Sequence, residues 1–239
     1  METLRLKANH MQKTENTLEN SCPWLEIEAF RNLTESQTNW LQEIAVMKTI
    51  GKGEFVFRPG EPSTSIFIVI DGRLKLGAFS AEGKEMIKHI YFPGELFGIM
   101  AISNQKLRVN YAKAMDDICT YCAIDVFDLK KLMQQNSEFS LSISKIMGDR
   151  LVQFQNKIES LMFKDTFTRV TDLLKEFADK QGQSIGDEIM IKHNLTHQDF
   201  ASLTATTRQT VTSILNELKK DDLIYMERGK MLIRDLDRL

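Results

Sequence analysis

Apolar residues follow three different spacings along the 239-residue chain. From about Gly51 onward they come in short runs, at 54–57, 66–70, 74–79, 86–91, 109–115 and 118–124. Between the runs stand turn residues: Arg58-Pro59-Gly60-Glu61-Pro62, Asp71-Gly72-Arg73, Glu82-Gly83-Lys84 and Pro93-Gly94. Many short strands at this spacing predict a sandwich or jelly-roll barrel. From about Phe127, and most clearly over 137–161, the spacing changes to steps of three and four. Ile143, Met147, Arg150, Phe154, Ile158 and Leu161 recur in this way, and Ile146 and Leu151 widen the stripe. That predicts a long helix able to pair with a twin as well as to pack on the barrel. A single helix lying on its own domain has the same pattern. Ahead of the barrel, 24–40 reads as a short helical stretch and 1–20 as a loose polar arm without aromatic residues.

The third regime is C-terminal. Residues 163–166 read as a hinge. A helix follows with Phe167, Val170, Leu174 and Phe177 inward, then a loop over 181–186 and a small strand at 189–191. Residues 195–224 read as two short helices joined by a tight turn at Thr204-Ala205-Thr206. Thr196 caps the first helix, with Asp199 three residues on, and Phe200 and Leu203 face inward. Either Thr206 or Thr207 caps the second; Thr206 with Gln209 resembles a capping box. Val211, Ile214, Leu215 and Leu218 form its buried stripe. Leu223-Ile224-Tyr225-Met226 and Met231-Leu232-Ile233 then read as a hairpin with Arg228-Gly229-Lys230 at the tip.

The outward residues of the second helix carry the chemistry. Arg208, Gln209, Thr212 and Ser213 face outward: Arg208 can donate a bidentate pair to guanine, Gln209 can pair with adenine, and a threonine can hydrogen-bond or touch a thymine methyl. Thr196, Thr207, Thr210 and Thr212 stand at the backbone or edge of such a site. Arg228 and Lys230 suit phosphate contacts, which position without specifying sequence. The helix N-terminus itself favours a phosphate. An ordinary helical hairpin with a solvated polar face would show the same spacing.

Composition narrows the class. Apolar content of 42% and charged content of 27% describe a globular chain. No apolar run reaches eighteen residues, so no membrane partner is expected. The start lacks the apolar core of a signal peptide, and three cysteines fit a reducing cytoplasm better than a disulfide framework. Net charge is −2, and residues 166–239 hold 11 Lys/Arg against 12 Asp/Glu. A strong non-specific electrostatic footprint on DNA is therefore not expected; only the contacting face must be positive.

The segment TTRQTVTSILNELKKDDLI, residues 206–224, resembles the recognition-helix pattern of the cyclic-AMP receptor protein and FNR family of bacterial transcription regulators. GEFVFRPGEPSTSIFIVIDGRLKLGAFSAEGKEMIKHIYFPGELFG, residues 53–98, resembles that family's cyclic-nucleotide-binding β-barrel. The resemblance implies base-reading at Arg208, Gln209 and Ser213, although the family often has Glu and Arg at the last two. Many members also have Gly where Ala205 stands; an Ala there costs about 1 kcal/mol if the backbone is left-handed. In nucleotide-binding members a Gly-Glu pair and an Arg-Ser pair hold the ribose and the cyclic phosphate. Here they align with Gly98-Ile99 and Arg108-Val109, and an adenine-contacting hydroxyl position aligns with Phe154. Ile99 cannot accept a hydrogen bond and Val109 cannot donate one. Leaving a buried ribose hydroxyl unpartnered costs about 1–3 kcal/mol. The pocket Gly98, Ile99, Arg108, Val109 and Phe154 therefore reads as degenerate, and cyclic AMP is not the expected ligand.

Other chemistry finds little support. Cys119-x-x-Cys122 lies on an expected strand, where residues three apart face opposite ways, against a shared metal. Buried cysteines acting as small hydrophobes are the simpler reading. His193 and His197 straddle a helix start, and no nucleophile–base arrangement stands out, so neither a metal nor an enzyme is expected. The expected fold is α+β, in four parts: a flexible arm (1–20), a cyclic-nucleotide-binding-like sensor β-barrel (21–126), a long dimerisation helix (127–163) and a winged helix-turn-helix domain (164–239). The expected function is a cytoplasmic homodimeric transcription regulator on a palindromic double-stranded DNA site, with RNA polymerase as a further partner implied by the resemblance and no cofactor. The alternative is a small-molecule-binding sensor whose C-terminal helices mediate protein contacts.

Overall fold

The computed structural model describes residues 27–103 and 105–239. The expected arm over 1–20, together with Cys22 and Trp24, lies outside the described residues. The helical stretch expected over 24–40 is not continuous. A 3-10 turn, Glu28–Phe30, is followed by a separate helix, α1 (Glu35–Ile44). Thr34 starts that helix: its hydroxyl accepts the Gln37 N–H, and the Gln37 side chain accepts the Thr34 N–H, a capping box.

Eight strands follow: β1 (Val46–Gly51), β2 (Phe55–Phe57), β3 (Ser65–Asp71), β4 (Leu74–Phe79), β5 (Glu85–Tyr91), β6 (Leu96–Phe97), β7 (Tyr111–Ala114) and β8 (Ile118–Asp125). They form two antiparallel sheets, β1-β8-β3-β6 and β2-β7-β4-β5. The unit is a jelly-roll-like sandwich of two sheets, not a closed barrel. β3 lies between β8 and β6 with both faces covered, which is why SIFIVID is a continuous apolar run. β1 escaped the sequence reading because it is an edge strand, mostly exposed, and β6 because it has only two residues. Between the sheets lie Phe57, Phe67, Leu74, Tyr91, Phe97 and Tyr121.

The outer face of the first sheet is covered by helices. Ile66, Ile68, Cys122 and Ile124 pack with Phe30, Leu41, Leu129, Leu132, Phe139 and Ile143. The last four residues belong to α2 (Val126–Gln135) and α3 (Ser137–Phe163). The single helix expected over 127–163 is thus two. Asn136, at φ −135°, breaks it. Its Oδ1 accepts the Phe139 N–H at 3.0 Å, capping α3. Its Nδ2 donates to Asn32 O at 3.0 Å and to Gln37 Oε1 at 2.9 Å, tying the break to α1.

After an extended Lys164, Asp165 caps α4 (Thr166–Gln181) through the Thr168 N–H. Then come β9 (Gln183–Ile185), β10 (Glu188–Lys192), α5 (His197–Thr204), α6 (Arg208–Lys220), β11 (Ile224–Glu227) and β12 (Lys230–Ile233). The four strands form one sheet, β11-β12-β10-β9. The loop expected over 181–186 contains β9, which pairs with β10. The core of this unit gathers Val170, Leu174, Phe177, Phe200, Val211, Leu215, Leu218 and Ile233, and it extends to Ile87 and Ile90 of β5 and to Met115 just past β7. The two units share one apolar cluster.

Candidate nucleic-acid interface

α5 starts as its sequence predicts. Thr196 accepts the Asp199 N–H at 3.1 Å, and Asp199 accepts the Thr196 N–H at 2.9 Å and its hydroxyl at 2.6 Å. Arg208–Lys220 packs behind it. Of the two candidate caps, Thr207 is used: its hydroxyl accepts the Thr210 N–H at 3.1 Å and lies 2.8 Å from the Thr210 hydroxyl. Thr206 instead sends its N–H to Ala201 O, so the Thr206–Gln209 box does not form. Ala205 occupies the left-handed region at φ 51°, ψ 53°. The turn keeps the geometry that suits glycine, and the alanine carries its strain.

Val211, Ile214, Leu215 and Leu218 are buried, which turns Arg208, Gln209 and Ser213 outward and exposed. Thr210 is half-buried at the margin. Thr212 departs from its expected place. Its hydroxyl donates to Arg208 O at 2.8 Å and lies 2.9 Å from His197 Nδ1, so it links α6 to α5 instead of facing outward alone. Asn216, exposed and seven residues after Gln209, stands on the same face. Helical spacing from Gln209 and Ser213 was enough to find it. Arg228 and Lys230 are exposed at the β11–β12 turn, beside Gly229 at φ 76°. The hairpin is backed by β10 and by the Asn194 N–H, which donates to Gly229 O.

The expected pocket residues do not converge. Gly98 and Arg108 meet: Arg108 Nη1 donates to Gly98 O at 3.1 Å and Nη2 donates to Ser65 O. The guanidinium lies 4.4 Å from the centre of the Phe57 ring. Burial lowers its pKa. Phe57, Phe67 and Phe97 stack beside it with centroids 4.9–6.3 Å apart, and Tyr91 and Tyr121 pack on the same rings. Ile99 packs with the core under the helices, while Val109 and Phe154 are 60% and 47% exposed. The space between the sheets is filled by the protein's own rings.

The expected dimer stripe on α3 divides in two. Ile143 is buried against its own domain, so it is not open to a twin. Arg150 also turns inward: its Nη1 donates to His89 Nε2 at 2.5 Å, its Nη2 lies 3.7 Å from Glu95, and it covers the Tyr91 ring. Burial lowers the His89 pKa, so the ring accepts as a neutral base. Met147, Phe154, Ile158 and Leu161 remain exposed, joined by Leu151 and Met162. At 100° per residue these six span one flank of the helix.

Cys119 and Cys122 are both buried, the first among the rings between the sheets and the second under the helices. They face opposite ways, as a strand requires. His193 lies in the loop before α5. Its Nδ1 accepts the Leu195 N–H at 2.9 Å, which places the ring proton on Nε2, and Nε2 is buried without a partner. Burial, with the charges of Arg73 and His197, pushes its pKa down to about 4.

Comparison with known proteins accords with this geometry. Residues 47–136 match the family model of the cyclic nucleotide-binding domain, and residues 168–239 match that of the Crp-like helix-turn-helix domain. A "CRP-like cAMP-activated global transcriptional regulator" of Mycobacterium tuberculosis is 28% identical over 188 residues, covering 79% of this chain and 84% of that protein. The "Anaerobic regulatory protein" of Bacillus subtilis is 25% identical over 201 residues, covering 83% and 84%. Among solved structures, FixK2 from Bradyrhizobium japonicum superposes with a TM-score of 0.73 at 17% identity, covering 82% of this chain and 95% of that one. A CooA mutant from Carboxydothermus hydrogenoformans gives 0.71 at 23%, covering 89% and 93%. The paired helices are therefore a DNA-binding helix-turn-helix and not a plain helical hairpin.

Two measurements check this local chemistry. Ala205→Gly relieves a left-handed alanine and is expected to raise unfolding stability by about 1 kcal/mol in a denaturant titration; a loss would mean that the turn is not strained. The depressed His193 pKa acts through the unfolded chain, which takes up a proton as pH falls through the ordinary 6.5 while the folded ring stays neutral until about 4. Its contribution is complete above pH 6.5 and shrinks toward pH 4, by about 2 kcal/mol at pH 5. His193→Asn, whose side chain can still accept the Leu195 N–H, should flatten the pH 7 to pH 5 fall in stability; an unchanged fall would remove His193 as its source.

Proposed function

This chain belongs to the Crp/Fnr family of DNA-binding transcription regulators, and we propose that it works as a homodimer reading a palindromic site without control by cyclic AMP. The observation that carries the reading is the exposed face of Arg208–Lys220: Arg208, Gln209 and Ser213, with Asn216 one turn on, stand clear while the opposite face is buried. Arg208 pairs with guanine, and Gln209 and Asn216 suit adenine. Thr207 and Thr210 border the base-reading face at the helix start, and Arg228 and Lys230 hold phosphates from the wing. Thr196 serves as the α5 cap and Thr212 as a brace for the reading helix.

The apolar flank of α3 from Met147 to Met162 is the seam with the twin helix. A large exposed apolar surface of this kind marks an association site. Two-fold pairing sets two reading helices on half-sites about 34 Å apart, one turn of DNA. The Mycobacterium tuberculosis relative is named as cyclic-AMP-activated. Here Ile99 and Val109 replace the polar partners, both Nη groups of Arg108 donate to backbone carbonyls, and aromatic rings occupy the interior. No helix among the described residues is long and apolar enough to cross a membrane. The protein works in the cytoplasm, with RNA polymerase as its partner in transcription, and by binding instead of catalysis.

Selection of bound duplexes from a random pool should recover a palindrome with half-sites about one turn apart; a pool without one would overturn the reading. On the selected site Arg208→Ala should cost about 1–3 kcal/mol and relax preference at one base pair per half-site. Calorimetry should find no micromolar cyclic-AMP binding. Binding that also tightened the DNA complex would restore the nucleotide as effector.

A further inference from the structure

We propose that the outer face of the β2-β7-β4-β5 sheet is a docking platform that holds the helix-turn-helix with its reading face outward, and that Arg73 and Lys75 are its positioning residues. The proposal rests on the DNA-reading function above and adds what aims the reading helix.

The face is built for cover. The outer face of an antiparallel sheet is polar when it meets water, yet Ile87, Ile90 and Met115 point outward here and are only 2%, 5% and 6% exposed. They join the core of the C-terminal unit, and Phe92 packs edge-on against Phe177 of α4 at 6.1 Å. Residues 87 and 90 would face opposite ways on a regular strand. The register skips Lys88, running from Leu76 opposite His89 to Gly77 opposite Ile87. That bulge turns both isoleucines to the same side.

Two cations on β4 and just before it grip the loop and helix that the platform carries. Arg73 holds Asp116 with Nε at 2.9 Å and Nη2 at 2.6 Å, and its Nη1 donates to His193 O at 2.7 Å and to Lys192 O at 3.3 Å. Asn194 donates to the same Asp116. Lys75 bridges Glu85 at 2.9 Å and Asp199 at 3.1 Å, and Asp199 completes the capping box of α5 with Thr196. Glu85 is anchored in turn by the Tyr111 hydroxyl at 2.5 Å. Tyr111 crosses the face over Gly77, where any Cβ would overlap its hydroxyl.

These contacts allow release as well as docking. Each cation has one carboxylate on its own domain, Asp116 for Arg73 and Glu85 for Lys75. Undocking therefore strands neither charge, and it exposes chiefly the apolar contact, which is the term that favours docking. In the docked position Arg208, Gln209, Ser213 and Asn216 all stay exposed. α5 is also held at its far end, where Lys157 donates to Leu203 O at 2.6 Å and Arg169 to Thr204 O at 2.9 Å. The helix that carries the reading helix is thus fixed to the sandwich at one end and to α3 at the other.

The test uses full-length protein. Ile87→Glu places a charge that water can solvate once the platform is bare, so the sandwich itself can keep its fold. Lys75→Met removes the Asp199 grip while Glu85 keeps Tyr111. Hydrogen exchange should report lost protection over residues 193–204 in Ile87→Glu, with β3, β8 and α3 unchanged. Fluorescence anisotropy on the selected duplex should find affinity reduced about tenfold or more, and several-fold for Lys75→Met. Retained protection over 193–204 would overturn the docking. Lost protection with unchanged or tighter DNA binding would overturn its positioning role. Wild-type binding to the duplex in the same assay checks the DNA-reading function separately, because exchange judges docking without DNA.

Discussion

The arrangement depends on how an eight-residue helix is held. His197–Thr204 is too short to persist alone, since isolated helices of that length are marginal in water. Five of its residues, Phe200 to Thr204, are buried. Its N-terminal amides are met by Thr196 and Asp199, and the Asp199 carboxylate is met by Lys75 from the sandwich. Its C-terminal carbonyls receive Lys157 and Arg169, cations at the negative end of the helix dipole. The reading helix packs on this short one and takes its direction from it.

The sandwich has kept its architecture and filled its interior. A site for a polar ligand needs room and unspent hydrogen-bonding groups. Between these sheets the room is taken by Phe57, Phe67, Phe97, Tyr91 and Tyr121, and the Arg108 guanidinium donates from its two Nη groups to Gly98 O and Ser65 O, leaving Nε without a partner. The Phe57 ring beneath the guanidinium and the nearby Glu61 carboxylate offset part of the cost of burying that cation. The sandwich also has two outer faces. One is covered by α1 to α3, the other by the DNA-binding unit.

The long helix serves both sides. Phe139 and Ile143 anchor it at its start, and Arg150 reaches His89 and Glu95 at the rim of the second sheet. The flank carrying Met147, Leu151, Phe154 and Ile158 is left open. One helix therefore links the covered face of the sandwich to an open apolar flank, and Lys157, farther along, touches the DNA-binding unit as well.

The amino-acid sequence by itself determined most of the element types and the pair of short helices near the C-terminus. Glycine and proline turns divided the strands, and a hydroxyl cap followed by steps of three and four marked both short helices. These signals are local, so they survive in one dimension. Arg208, Gln209 and Ser213 were legible because burying Val211, Ile214, Leu215 and Leu218 leaves them only one direction to face. What depended on partners distant in the chain was decided by tertiary structure alone. Ile143 and Arg150 share a period with the exposed stripe and differ only in what lies above them. Thr212 turned to His197, fifteen residues away, and the break at Asn136 required Asn32 and Gln37. The bulge at Lys88 is invisible in a sequence because it is a mismatch between two strands. With it came the alignment of Ile87 and Ile90 toward the DNA-binding unit, since register is a property of a pair and burial a property of the whole.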